Sequence, residues 1–157
     1  MTYLKAIAAA LTLTVSLPAA AAEMLMITDA YAVSASPTAR TGAAFFIIEN
    51  HGPADDRLVG VTSDAAERVE IHTHLEDASG VMRMIKVEDG IVVPAGARHA
   101  LRRGGDHIMF LGLTAPFDAG RLIPVTLIFE QAGEIAVEIP VDLNRPPEPA
   151  SGAMHGG

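Results

Sequence analysis

The sequence predicts an all-β protein, a sandwich of antiparallel sheets. Three observations carry that expectation. Short apolar runs recur along the chain with turn residues between them, no stretch sustains a helical period, and no helical crossover separates the runs as a parallel sheet would require. The 157 residues suffice for one ordinary domain, and 50% of them are hydrophobic, enough to build a core without disulfides.

The elements follow in order. Met24–Val33 is apolar with interrupted alternation, and Ser34–Gly42 reads as a loop. Ala43–Asn50 is a strongly apolar strand, closed by the turn residues His51–Asp56, and Leu58–Val61 follows. Val69–His74 alternates at period two, which sets Val69, Ile71 and Thr73 on one face and Glu70, His72 and His74 on the other. Gly80–Val87 is a strand and Glu88–Gly90 a turn. Short strands at Ile91–Val93 and His99–Leu101 flank Pro94–Ala97. Gly104 and Gly105 introduce Asp106–Leu113, and Leu122–Glu130 joins Glu134–Val141 through Gln131–Gly133. The pattern amounts to roughly seven to nine strands.

The two ends read differently. Lys5, the apolar run Ala6–Leu17, and Pro18 with the alanines before Glu23 have the order of an export signal, with small residues suited to a signal peptidase. No basic stop-transfer flank follows, and nothing after Glu23 resembles a membrane span, so no stable membrane insertion is expected. The expected organisation is a signal peptide over 1–22, a folded domain over 23–143 and a flexible tail rich in Pro, Gly and Ala over 144–157.

Composition removes several function classes. Cysteine is absent, which excludes disulfides, thiolate metal sites and a cysteine nucleophile. Acidic residues outnumber basic ones 19 to 11, for a formal charge of -8, and aromatic residues make up only 4%. Neither a phosphate-binding surface nor a base-stacking platform fits, so nucleic acid is not an expected partner. Ser34, Ser36 and Ser63 lack a nucleophile-elbow context, Glu49 and Glu70 make no persuasive catalytic pair, and no Gly-rich phosphate loop is present. The sequence predicts a binding protein rather than an enzyme.

The polar residues that a sandwich does not need fall into three short clusters. His72 and His74 share one strand face, Met82 and Met84 share another, and His107 and Met109 flank the oppositely directed Ile108. Thioether sulfur is soft and uncharged, so a mixed His and Met set favours Cu(I) over Ca(II), Mg(II) or Zn(II). An electron-transfer copper of the blue type needs a thiolate, which this chain lacks. Against this, methionines in sandwiches commonly fill gaps in the core and a lone histidine is commonly solvated. His51 and His99 read as surface residues, and Arg102 and Arg103 as a solvated edge or a docking patch.

At these residues the chain resembles the periplasmic copper chaperone family PCu(A)C, from about Ile27 to Val141. The resemblance rests on Gly42–Gly52, Val69–His72, Gly80–Met84, Pro94–Gly96, His107–Leu113 and Pro124–Glu130. The family motif, a His often followed by Met, then a distant Met, then His-x-Met, falls on His72, Met84, His107 and Met109. Position 73 is Thr where the family often has Met, and the gap before His107 is one residue longer than usual, which leaves Met82 as an alternative to Met84. The resemblance implies a cupredoxin-like Greek-key β-sandwich that binds Cu(I) near one end. It further implies delivery through the periplasm towards the copper centre of cytochrome c oxidase, with the oxidase copper subunit and a Sco-type thiol protein as partners; a monomer is expected. Many members carry a His/Met-rich C-terminal extension; here the tail holds only Met154 and His155, so no strong second site is expected. Passive copper storage or buffering, and an exported structural sandwich whose methionines pack inward, are the competing readings.

Overall fold

The computed structural model describes residues 23–146, so the expected signal peptide over 1–22 and the tail after Pro146 lie outside the described residues. Among the described residues there are ten strands and no helix: β1 (Leu25–Ser34), β2 (Thr41–Asn50), β3 (Asp56–Thr62), β4 (Ala66–Glu76), β5 (Met82–Lys86), β6 (Ile91–Val93), β7 (Arg98–Leu101), β8 (His107–Leu113), β9 (Leu122–Phe129) and β10 (Gly133–Pro140). Each coincides with a run read from the sequence, the short β6 and β7 included, so the estimate of seven to nine was low; β6 and β7 are held by ladders to β3 and β2 respectively.

The strands form two sheets of a cupredoxin-like sandwich, as predicted. One runs β1-β2-β8-β4-β5 with β7 also on β2, and the other runs β10-β9-β3-β6. Every ladder is antiparallel, and a single parallel bridge joins Ala32 to Val141. Period-two alternation supplies the core. Ala44, Phe46 and Ile48 of β2, Ile71 of β4, and Ile108 and Phe110 of β8 point inward against Ile123, Val125, Leu127 and Phe129 of β9. Burial of these side chains is the main stabilising contribution, about 1.5–3 kcal/mol for each large one.

Two buried polar residues tie the loops to this core, each with its bonds satisfied. The Asn50 amide donates to the Ala54 and Val93 carbonyls, both at 2.9 Å, and accepts from the Gly52 amide. The Asp56 carboxylate accepts from the backbone amides of Arg57 (2.7 Å), Gln131 (2.9 Å) and Ala132 (3.0 Å), fastening the start of β3 to the β9–β10 turn.

One feature of the topology positions the site. A single edge of β2 is shared: Thr41–Ala44 pair with β8, and Phe46–Glu49 pair with β7. β7 and β8 therefore lie end to end, joined by the turn Arg102–Asp106. That turn closes with the Arg102 amide donating to the Asp106 carbonyl at 2.9 Å, and Gly104 supplies its left-handed residue, φ 80°. It stands over the outer face of the sheet, where Arg103 lies 6.0 Å above the Phe45 ring. Beside it, Arg145 pairs with Asp29 at 2.5 Å and lies 4.6 Å above the Tyr31 ring, so the segment in which the tail was expected to begin is held against the sheet as far as Arg145. Asp29 itself has φ 50° at the bulge in β1.

Gly42 faces inward against Phe117, a ring only 1% exposed; a Cβ there would stand 2.5 Å from its Cε2 atom. Gly42→Ala is expected to lower stability by about 1–3 kcal/mol through overpacking. Denaturant unfolding checks this, with a midpoint equal to the wild type as the contrary outcome.

Candidate metal centre

The three donor clusters meet on the outer face of the six-stranded sheet. Register places them there. His72 lies opposite His107 and Glu70 opposite Met109 in the β4–β8 ladder, while His74 lies opposite Met84 in the β4–β5 ladder. Directly opposed residues point to the same face, with Cβ atoms about 4.5–5.5 Å apart. A groove of about 470 Å³ opens at this point, and His74, Met84, His107 and Met109 line it together with Phe45 and Arg103.

His107 is the most enclosed of the donors, 3% exposed, at the first position of β8 after the turn. Its Nδ1 stands 2.9 Å from the Gly105 carbonyl oxygen. A carbonyl only accepts, so Nδ1 carries the proton and Nε2 keeps its lone pair. Burial pushes the His107 pKa below the usual histidine value; the bond to Gly105 works against that shift, and the nearby His74 and His72 add to it. An aromatic row packs its sides: Phe45 at 6.1 Å, His74 nearly stacked at 5.2 Å with 30° between planes, and His72 edge-on at 6.0 Å.

His72 takes a different orientation. Its Nε2 donates to the Glu70 carboxylate at 2.9 Å, and its Nδ1 is buried without a hydrogen-bond partner. That bond, above all, holds the Glu70 carboxyl below the usual carboxylate pKa range. Of the expected ligands, then, the structure brings Met84, His107 and Met109 to one groove and places His72 on the same face but outside the lining. Met82 lies opposite Glu76, 53% exposed and away from the groove, so the register favours Met84 of the two methionines. His74 lines the groove although the motif does not include it; its only sequence signal was the period-two pairing with His72.

The lining carries no carboxylate and no thiolate, and among the described residues no group of three or more His, Cys, Asp or Glu is arranged to hold a metal ion. What the groove offers is thioether sulfur beside imidazole nitrogen, a set suited to a soft monovalent cation. The other two histidines read as surface residues are engaged elsewhere: His51 with Glu49 at 3.3 Å and His99 with Asp106 at 2.7 Å.

Residues 25–141 match the family model "Putative lipoprotein LpqE-like". The chain belongs to the LpqE-like family. A relative, "Putative lipoprotein Lxx21020" of Leifsonia xyli subsp. xyli, is 38% identical over 99 residues, covering 63% of this chain and 59% of its own length. The chain spans less than two thirds of the length of the curated relatives it matches. Among solved structures, the apo PCuAC domain from PmoF1 superposes with a TM-score of 0.65 at 21% identity, covering 76% of this chain and 94% of that domain. CuI-DR1885 from Deinococcus radiodurans superposes at 0.57 with 27% identity, covering 80% and 85%. The fold is thus that of the PCuAC domains, which agrees with the resemblance read from the sequence.

Because the His107 pKa is lower in the folded than in the unfolded chain, the unfolded state takes up more protons at mildly acidic pH. This contribution to stability is expected to be complete above the usual histidine range, about 6.5, and to be lost as pH falls through the depressed folded value. A pH titration followed by imidazole NMR checks the cause directly: the His107 ring should titrate below that of an unfolded-chain histidine.

Proposed function

We propose that this protein is a periplasmic copper carrier that binds one Cu(I) in the outer-face groove and passes it to an acceptor protein. The observation that carries this reading is the gathering of Met84, His107 and Met109 from two strands into one open groove without any charged oxygen donor. A neutral ligand set holds a soft ion without trapping it. Open access lets an incoming donor reach the ion before the resident ligands release it. DR1885, which shares the fold, was solved in a copper(I) form, and that supports the same cargo here.

The acceptor we favour is the copper subunit of cytochrome c oxidase, with a Sco-type thiol protein as the alternative or intermediate partner. Thiolate acceptors suit the direction of transfer, because a thiolate outcompetes thioether for Cu(I). The protein acts by binding and exchange rather than catalysis. The export signal read over 1–22 supports a periplasmic location. The word lipoprotein in the family's description supports the same side of the membrane.

Titration under reducing conditions should show one tightly bound Cu(I) per chain, with Zn(II) unable to displace it at comparable concentration. Met109→Ala should weaken Cu(I) retention by about tenfold or more, equivalent to ~1.4 kcal/mol, while leaving the circular dichroism spectrum unchanged. Equal competition by Zn(II) would remove the thioethers from the site. The carrier role is tested by the transfer rate to an apo oxidase copper domain. A rate that rises with acceptor concentration indicates direct exchange, whereas a flat rate equal to spontaneous dissociation indicates passive buffering.

A further inference from the structure

β4 presents two imidazoles to the same sheet face, and their surroundings differ in every respect that matters to a cation. His72 lies opposite Lys86 on one side and His107 on the other, its Nε2 is held by Glu70, and its Nδ1 is buried outside the groove lining. His74 lies opposite the thioether of Met84 and lines the groove. Its Nδ1 stands 3.4 Å from the Gly105 carbonyl, the same oxygen that fixes His107 at 2.9 Å. One carbonyl therefore faces the Nδ1 atoms of both rings, and in each ring Nε2 is the nitrogen left to bind.

We propose that His74, rather than His72, supplies the second imidazole for a soft cation such as Cu(I) in this groove, with the Gly105 carbonyl orienting the His74 and His107 rings. The inference rests on the copper-carrier reading and refines its ligand set to His74, Met84, His107 and Met109. His72 is then a structural neighbour: Glu70 holds its Nε2, and its remaining nitrogen, Nδ1, is buried outside the groove lining. Beside His72 the neighbours are hard charged groups, the Glu70 carboxylate and Lys86 across the ladder; beside His74 a soft cation meets polarisable sulfur.

The test uses the chain as it is produced, loaded with Cu(I) under reducing conditions. Competition against a Cu(I) chelator is measured for His74→Ala, His72→Ala and Glu70→Gln. The expected result is a loss of affinity of about tenfold or more for His74→Ala and less than about threefold for the other two. In the wild-type chain, long-range proton–nitrogen NMR of the histidine rings should show the Nε2 resonances of His74 and His107 shifting on Cu(I) addition, while both His72 ring nitrogens, the unpartnered Nδ1 above all, stay in place. That measurement needs no variant, so it holds if a substitution unfolds the domain. Loss of affinity in His72→Ala equal to or greater than that in His74→Ala overturns the proposal, as does a Cu(I)-dependent shift at His72 without one at His74. Absence of Cu(I) binding by the wild-type chain would overturn the carrier reading and this assignment with it; the patterns above separate the two failures.

Discussion

The candidate site depends on one backbone carbonyl. Gly105 lies in the turn that lets β7 and β8 share a single edge of β2, and its oxygen faces the Nδ1 atoms of two histidines from different strands. Without that turn, β8 would not begin at His107 with an imidazole on the outer face and a free Nε2. The turn needs a left-handed residue and receives it from Gly104. The same few residues thus set both the His107 tautomer and the start of β8.

The site sits where the sandwich changes character. Inward-facing residues of β2, β4 and β8 are closely packed, while β5 is exposed along its whole length at the sheet edge. Met84 is 45% exposed and His107 only 3%, so the donor set spans the boundary between core and solvent. In the proposed carrier, the enclosed His107 is the preorganised member and the exposed Met84 the one an ion reaches first. The outer face is protected on its other flank by Arg103 and Arg145 over Phe45 and Tyr31. Those guanidiniums are held by a carboxylate and a carbonyl, Arg145 by Asp29 and Arg103 by the Arg145 carbonyl. They screen the aromatic row from water without closing the groove.

Electrostatics divides the same face into two territories. Glu70, Lys86, His72 and Arg68 form a polar patch in which His72 is a hydrogen-bond donor, Arg68 reaching Glu70 at 3.7 Å. A few ångströms along β4 the neighbours become sulfur, an aromatic ring and a carbonyl. Hard and soft side chains thus occupy opposite sides of this divide. The groove lining on the His74 side carries no carboxylate, which is the observation behind the proposed His74 ligation.

Much of this was determined by the sequence alone. Period-two alternation assigns Ile108 and Phe110 to the core and His107 and Met109 to the other face, because a strand has only two faces. Glycine pairs and Pro/Gly segments mark the turns, and the lack of cysteine with a surplus of Met and His points to soft neutral donors. What alternation could not decide is which of two residues with the same parity stands beside which neighbour. His72 and His74 share a face, as do Met82 and Met84, and nothing local separates the members of either pair. Register decides, since it sets His74 against Met84, His72 against Lys86, and Met82 against Glu76. Register in turn depends on how β4 pairs with β8 and β5 across long separations in the chain, a property of the assembled sheet. The sequence supplied the candidate donors; only the tertiary structure set their neighbours, because a side chain's neighbours across a ladder are set by pairing between strands rather than by position along one.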